Sequence, residues 1–351
     1  MHFFIRASAL NDPPLCGLLA QLEDAIDPDI EDTLERGWLD FTFGRFRGDL
    51  FLPDRGAARA LDIPPAPHIN DCQKDYARML AAQYINCLRA LQGNGLMVVR
   101  ANYGTGILPS ILGCDIFTMP RWQDTLPTAR PLGGDKIKAL LEQEIPPFDA
   151  GLGRHAFAIG ELMREIALRY PKIGRYAHVI QPDLQGPFDA AELIWGSDIF
   201  YGVFDRPDLV HALLRRVCET YEKVIKAWYG LFPPGGYALH AGMMYRGNLM
   251  LRSDSAHNFS PEMYAEFMRP YDEWLMSRCG GGALHFCGRG DHYIAACAEI
   301  PGLYAVNMSQ PEFNDPEIIF RHTVDRGIRL IGLQKEFAVA HTKRLKGLAQ
   351  A

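Results

Sequence analysis

Apolar runs that end in polar or glycine-rich residues recur along most of the chain. Helical patterns lie between most of these runs, and this alternation is typical of βα units with parallel strands. An eighth run is expected in the stretch that follows Gly104. Eight such units predict an α/β fold, a (β/α)8 or TIM barrel with N-terminal helices, whose chemistry gathers where the strands end. The runs span residues 96–104, 178–189, 237–244, 248–256, 283–290, 303–312 and 328–336.

Helix and turn signals suggest that the chain has an N-terminal extension and a main domain. Apolar side chains at helical spacing predict a helix from Asp75 to Leu91, and Ser260 with Pro261 predicts the start of another. Turn signals such as DIPPAP break up the first part of the chain. We therefore predict an N-terminal extension over residues 1–70, packed on a barrel domain over residues 71–351. No GxGxxG motif joins a strand to a helix, so a dinucleotide-binding fold is not favoured.

Composition then narrows the class of protein. The 351 residues are 48% hydrophobic and 22% charged, which is typical of a globular chain with a large core. A formal net charge of -6 without a basic run argues against a nucleic-acid partner, and the first residues are too polar for a signal peptide or membrane span. The eight cysteines form no CxxC pair and lack the dense spacing of a disulfide framework, so we expect reduced thiols in a cytoplasmic protein.

The sequence HFC, residues 285–287, places two metal-binding side chains on one strand. Alternate residues of a strand point to the same face, so His285 and Cys287 should both point into the barrel mouth. An imidazole nitrogen and a thiolate sulfur at this spacing can share a zinc ion. The alternative is a hydrogen-bonded core histidine beside a buried, inert thiol, because two ligands alone do not make a site.

Two longer stretches carry a family resemblance. The segment SDSAHNFSPEMYAEFMRPYDEWL followed by HFCG, together with QGPFDAAELIWGSDIFYGVFDRPDLVHALL, resembles the uroporphyrinogen decarboxylase superfamily. The HxCG motif is similar to that of its zinc-dependent branch, the cobamide-dependent methyltransferases. The resemblance implies a distorted (β/α)8 barrel, with His285 and Cys287 as zinc ligands. It also implies a methylated corrinoid, supplied by a partner protein, as the methyl donor.

The sequence departs from that family at two places. The methyltransferases take a third zinc ligand from a cysteine near the last strand, whereas this chain has no cysteine after Cys297. Glu336 occupies about that place and is our predicted third ligand; His240 is the competing candidate, and a solvated carboxylate is the alternative role for Glu336. The decarboxylases carry an arginine-rich loop after the first strand, where this chain has Arg100 alone.

Polar residues near the ends of the other runs complete the predicted site. Charged and polar groups that line a barrel mouth indicate contacts with a small-molecule substrate, although a pair such as Arg252 and Asp254 could equally be structural. Three functions stay open: zinc-dependent methyl transfer from a corrinoid to a thiol, metal-independent decarboxylation of a porphyrinogen or other acidic substrate, and non-catalytic binding. We predict catalytic roles for Asp183 and Tyr103 and substrate binding for Arg100, Asn102, Arg252, Asp254, Asn307 and Gln310.

Overall fold

The computed structural model describes residues 9–56 and 60–351. Much of the stretch on which the absence of a signal peptide was predicted, residues 1–8, lies outside the described residues. The described α-helices are α1 Pro13–Ala25, α2 Pro28–Thr42, α3 Ile69–Cys72, α4 Tyr76–Ala90, α5 Ile107–Ile111, α6 Ile137–Leu141, α7 Gly153–Arg169, α8 Pro171–Tyr176, α9 Pro187–Trp195, α10 Ile199–Asp205, α11 Pro207–Leu231, α12 Pro261–Phe267, α13 Arg269–Cys279, α14 Ile294–Cys297, α15 Pro316–His322, α16 Lys335–Ala340 and α17 Thr342–Leu345.

Parallel strands form the largest sheet. Its order is β10-β9-β8-β7, and β1 pairs with β4 in a second, two-stranded parallel sheet. Two antiparallel pairs, β2 with β3 and β5 with β6, complete the described strands. The strands are β1 Val98–Val99, β2 Ile116–Phe117, β3 Thr128–Ala129, β4 His178–Val179, β5 Tyr237–His240, β6 Met243–Arg246, β7 Leu249–Arg252, β8 Gly282–Phe286, β9 Leu303–Met308 and β10 Arg329–Ile331.

The α/β class is confirmed, and the parallel sheets are compatible with a barrel-like fold. The hydrogen-bonded strands of the described chain do not close into one ring, because they fall into four separate sheets. The stretch after Gly104, where an eighth barrel strand was expected, contains the antiparallel pair of β2 and β3. The polar residues that follow β7 and β8 lie at the carboxyl ends of neighbouring parallel strands, as the predicted βα units require.

The run at residues 237–244 was predicted as one strand-like run, but it does not form a single strand. It folds back on itself as the hairpin of β5 and β6. The two turn residues, Ala241 and Gly242, both have positive φ, +48° and +82°, which suits the right-handed twist of a tight hairpin. Alanine rarely adopts this conformation, so the turn had no clear sequence signal.

Two predicted helix starts are confirmed. Helix α4 begins after Asp75, whose carboxylate accepts hydrogen bonds from the backbone N–H groups of Ala77 and Arg78. Helix α12 begins after Ser260, whose hydroxyl accepts from the N–H of Met263. Each cap satisfies N–H groups that have no partner within their own helix, which fixes where the helix begins.

Two apolar clusters lie on opposite faces of the main sheet strands. Leu251 and Leu284 belong to the larger cluster, which includes most buried helix side chains. Alternate positions, such as Met250 and Ala283, belong to a smaller cluster with Trp38. The N-terminal part of the chain thus contributes to the core around the strands. Cys87, Cys218 and Cys297 are buried on their helices, as predicted.

Within the described part of the chain, none of the helices combines the length and the apolar character needed to cross a lipid bilayer.

Candidate metal centre

The register of the main sheet brings three polar side chains into a row. Arg252 on β7 pairs with His285 on β8, and His285 pairs with Asn307 on β9. Paired residues of neighbouring parallel strands project to the same face, so these side chains meet across the sheet. Cys287 follows β8 by one residue and Asp254 follows β7 by two. Both extend the row toward the carboxyl ends of the strands.

Asp254, His285 and Cys287 form a compact group of metal-binding atoms. The three ligand atoms lie within 4.8 Å of one another. His285 Nε2 is 3.5 Å from Cys287 Sγ and 3.6 Å from Asp254 Oδ1. A tetrahedral zinc ion with ordinary bond lengths separates its nitrogen, oxygen and sulfur ligands by about 3.3 to 3.6 Å. The donor set and the two distances from His285 Nε2 are therefore compatible with a bound metal ion such as zinc.

Asn307 fixes the orientation and tautomer of His285. The side-chain nitrogen of Asn307 donates to the carbonyl of Ile331 at 2.7 Å, so its oxygen faces His285 Nδ1 at 2.6 Å. That contact requires a proton on Nδ1, because the amide oxygen only accepts. The other ring nitrogen, Nε2, faces Asp254 and Cys287. Metal-binding histidines usually have such a partner on the other ring nitrogen.

Cys287 lies in the loop after β8, and a backbone hydrogen bond connects this loop to Asp254, which follows β7. The backbone N–H of Cys287 donates to Asp254 Oδ1 at 2.9 Å, which ties the aspartate to the same loop. Gln310 Oε1 accepts from the N–H of Gly288 at 2.6 Å. Burial raises the pKa of the Cys287 thiol above its ordinary value. A cation bound beside the sulfur would counter this effect by favouring the thiolate.

The two candidates for the third ligand lie outside this group. Glu336 is an exposed residue in the first turn of α16. The ring of His240 lies 5.5 Å from that of His285, centroid to centroid, and burial lowers the pKa of His240 to about 3. Neither side chain joins the compact set, in which Asp254 supplies the third ligand atom. Asp254 was predicted as a substrate contact, and its register beside His285 was not visible in the sequence.

A second charged cluster includes Arg252, the cross-strand neighbour of His285. Asp183 is buried and accepts hydrogen bonds from Arg100, at 3.3 Å, and from Arg252. Gln185 donates to its other oxygen, and Arg100 also donates to Asn102 Oδ1 at 2.9 Å. Two guanidinium groups face one carboxylate, so the cluster carries a surplus positive charge. The structure thus brings together four predicted residues: Asp183, Arg100, Arg252 and Asn102.

Tyr103 packs in the larger apolar cluster. Its side chain is fully buried, with its ring centroid 5.7 Å from that of His155. Its hydroxyl has no hydrogen-bond partner among the described residues. Burial raises the pKa of this hydroxyl far above its ordinary value. Tyr103 therefore stays protonated at neutral pH, and its packing is that of a core residue.

Sequence reasoning missed Asp189. It lies in the first turn of α9, where a carboxylate usually stabilises the helix. Here it is buried and accepts from the N–H and hydroxyl of Ser255, while its Oδ2 has no described partner. Burial outweighs these hydrogen bonds and raises the pKa of Asp189 to about 8. It lines a cavity of about 390 Å³ together with Asp254 of the candidate metal centre.

No family model and no curated protein matches this sequence. The geometry of Asp254, His285 and Cys287 is therefore the strongest basis for a functional proposal.

Proposed function

We propose that this chain is a zinc-dependent methyltransferase that transfers a methyl group from a methylated corrinoid to a thiol. The triad of Asp254, His285 and Cys287 carries the proposal. Its nitrogen, oxygen and sulfur donors match the ligands of catalytic zinc, and it lies at the carboxyl ends of parallel strands. The likeness of HFCG to the motif of cobamide-dependent methyltransferases supports the choice of reaction.

Asp254, His285 and Cys287 would hold the zinc ion, which would favour loss of the proton from a coordinating substrate thiol and so supply a thiolate nucleophile at neutral pH. The protein residues keep the ligands in place for that task. Asn307 holds the proton of His285 on Nδ1, and the backbone N–H of Cys287 holds the carboxylate of Asp254. Preorganised ligands of this kind raise metal affinity because no rearrangement is needed on binding.

The charged cluster gives the site a means to orient its substrate. Arg100 and Arg252 both contact Asp183, and their surplus positive charge can attract an anionic group of the acceptor. Arg252 is also the cross-strand neighbour of His285. An anionic group held here would place the rest of the substrate near the triad. The corrinoid, supplied by a partner protein, would approach from the open mouth.

Metal content is the first test. Protein produced with added zinc should contain about one zinc ion per chain, and Cys287→Ser or His285→Ala should remove it. Cys16→Ser serves as the control, because the thiol of Cys16 contacts the carbonyl of Leu10 and does not belong to the triad. The zinc-loaded protein should then methylate a thiol from a methylated corrinoid, and both variants should fail. Wild-type protein without zinc would overturn the proposal.

Decarboxylation without a metal is the second candidate function. The observation that favours it is the pair of arginines around Asp183, which can hold a substrate carboxylate. In this alternative Asp183 would stabilise a protonated pyrrole while Arg100 held a carboxylate. Carbon dioxide release from a porphyrinogen by the metal-free protein would support it. A protein with neither zinc nor this activity would be a non-catalytic binding protein.

A further inference from the structure

Gln185, in the loop between β4 and α9, combines burial with an unusual backbone conformation. Its φ is +62°, in the left-handed region. Three other described residues besides glycines have positive φ, and these residues, Asp124, Ala241 and Lys346, are exposed, whereas Gln185 is 7% exposed. A residue with a side chain adopts this conformation at a cost in free energy, and such residues cluster at functional sites. The conformation of Gln185 therefore calls for a functional explanation.

The next residue, Gly186, ties the loop to β7. A Cβ atom on Gly186 would lie 2.2 Å from the backbone carbonyl oxygen of Arg252, so the close approach of the two backbones requires glycine. Pro187 follows as the first residue of α9, and its ring restricts the backbone of Gly186 to extended conformations. The loop is thus held against the strand that carries Arg252, and this fixes the position of Gln185.

The side-chain amide of Gln185 determines how Asp183 meets its two arginines. The amide nitrogen donates to Asp183 Oδ1 at 2.5 Å, while Oδ2 accepts from both Arg100 and Arg252. A carboxylate with both oxygens available pairs with one guanidinium group through two parallel hydrogen bonds. The amide occupies Oδ1 and so disfavours this two-oxygen pair. Both arginines share Oδ2 instead, and each guanidinium group keeps further N–H donors for a ligand.

The arginines are also the accessible part of this cluster. The side chains of Arg100 and Arg252 are 20% and 19% exposed, whereas that of Asp183 is 4% exposed. Arg252 is the cross-strand neighbour of His285, so an accessible guanidinium group lies next to the candidate metal centre. A ligand can therefore approach the positive charges of the cluster, while the carboxylate that holds them stays covered.

Gln185 borders both parts of the proposed site. It lines a narrow cavity together with Asp183 and the two arginines, and it lines the cavity of about 390 Å³ together with Asp254 of the candidate metal centre. This placement adds to the left-handed backbone and to the hydrogen bond with Asp183. The three observations point to a role in the site and not only in the core.

We propose that Gln185 is a positioning residue, which holds Asp183, and through it Arg100 and Arg252, in an arrangement that binds the anionic group of the acceptor. The inference rests on the proposed methyl transfer for the identity of this ligand. The arrangement of the arginines needs neither zinc nor a corrinoid, so it can be tested on metal-free protein. Without the amide, Asp183 can form a two-oxygen pair with one arginine, and the anion loses hydrogen-bond donors.

Calorimetric titration of the metal-free full chain with mercaptoacetate and with mercaptoethanol tests the proposal. Wild-type protein should bind the carboxylate at least about 10-fold more tightly than the alcohol, because hydrogen bonds between charged groups are the stronger ones. Gln185→Gly and Gln185→Ala should each weaken mercaptoacetate about 5- to 10-fold, the value of one hydrogen bond, and should not affect mercaptoethanol. A purely structural role would change the affinity for both thiols alike.

Stability separates the backbone of Gln185 from its amide. Glycine adopts positive φ without strain, so Gln185→Gly should unfold at a higher urea concentration than Gln185→Ala, although both variants lack the amide. An equal loss of mercaptoacetate affinity in these two variants would assign the effect to the amide. Lys346→Gly is the matched control, because it relieves a φ of +52° at an exposed residue, and it should keep the wild-type affinity.

Zinc-loaded protein gives a second readout. With mercaptoacetate as the methyl acceptor, Gln185→Gly should raise KM about 5- to 10-fold and keep kcat within about 2-fold of wild type, because the amide supports binding of the anion and not the metal ligands. A lower kcat with an unchanged KM would contradict the positioning role.

Two results with metal-free protein would also overturn the inference. They are equal affinity of wild-type protein for mercaptoacetate and mercaptoethanol, and wild-type affinity for mercaptoacetate in Gln185→Gly. A different outcome would overturn the proposed function alone: wild-type protein prefers mercaptoacetate, Gln185→Gly loses the preference, and no methyl group is transferred. The role of Gln185 and the methyl transfer can therefore fail separately.

Discussion

One face of strand β8 begins in an apolar core and leads to the candidate metal centre. Ala283, His285 and Cys287 alternate along this face. Ala283 packs in the cluster that contains Trp38 from α2, whereas His285 and Cys287 meet Asp254. Ala283 therefore packs with aromatic side chains, whereas His285, two residues later on the same face, contacts polar groups.

The two ends differ in what holds them together. At the amino end, Trp38 and Phe51 meet edge to face at 5.1 Å between ring centroids, and Phe41 stacks on Phe51 at 4.9 Å. At the carboxyl end, the triad is held by hydrogen bonds to Asn307 and to the loop backbone. Apolar burial supplies most of the free energy of folding, whereas half-buried polar groups supply little. We therefore expect stability to depend on the amino end and metal binding on the carboxyl end.

The largest expected effect is at the amino end. Trp38→Ala should lower the free energy of unfolding by about 3 to 5 kcal/mol, because a fully buried indole is lost and a cavity remains. Urea unfolding followed by circular dichroism measures the change. Zinc bound per folded chain should stay at the wild-type level. Loss of zinc from the folded variant would show that the two ends are not separable.

Asp189 should produce the next largest effect, as a dependence of stability on pH. Burial raises its pKa to about 8, from 3.8 as an ordinary value, so the folded chain keeps a proton that the unfolded chain releases. Stability from this group is present below about pH 4 and is lost as pH rises toward about 8. Asp189→Asn should remove that loss and should stabilise the protein by a few kcal/mol at pH 9.

Unfolding of wild type and Asp189→Asn at several pH values, in the presence of a chelator, gives the measurement. Asp198→Asn, at an exposed aspartate of the same segment, is the control and should follow wild type. Asp272 is also buried and has a pKa raised to about 7, so some pH dependence should remain in the variant. Identical profiles for wild type and Asp189→Asn would contradict the prediction.

The next largest effect is expected for zinc affinity, which should depend on Asp254 as the third ligand. Asp254→Asn should weaken zinc at least about 10-fold, or about 1.4 kcal/mol, because it removes the negative charge from a ligand atom 3.6 Å from His285 Nε2. Glu336→Gln and His240→Ala should leave the affinity unchanged, since neither belongs to the compact group. Competition with a chromophoric chelator measures all three. Weaker binding in Glu336→Gln would return the role to Glu336.

The alternation of residues along β8 predicted much of the arrangement at its carboxyl end. It did not predict the packing at its amino end. The pattern of ALHFCG alone placed His285 and Cys287 on one face, and their contact at 3.5 Å confirms it. Asp254 joins them only through the register of β7 against β8, which no local pattern encodes. Trp38 and Ala283 belong to one apolar cluster although they are far apart in the sequence, and the hairpin turn contains an alanine with positive φ. Contacts between distant segments and unusual backbone conformations were therefore the features that sequence could not supply.

The smallest expected effect is on the stability of the metal-free triad. Cys287→Ser replaces a half-buried sulfur with an oxygen of similar shape, and the barrel-like core does not depend on it. In chelator, wild type and Cys287→Ser should unfold within about 1 kcal/mol of each other. Zinc at 100 times its dissociation constant should stabilise wild type by about 2.7 kcal/mol and leave the variant unchanged, because only the folded wild type binds the ion. A large loss of stability in chelator would mean that Cys287 supports the fold itself, and the contrast between the two ends of β8 would then not hold.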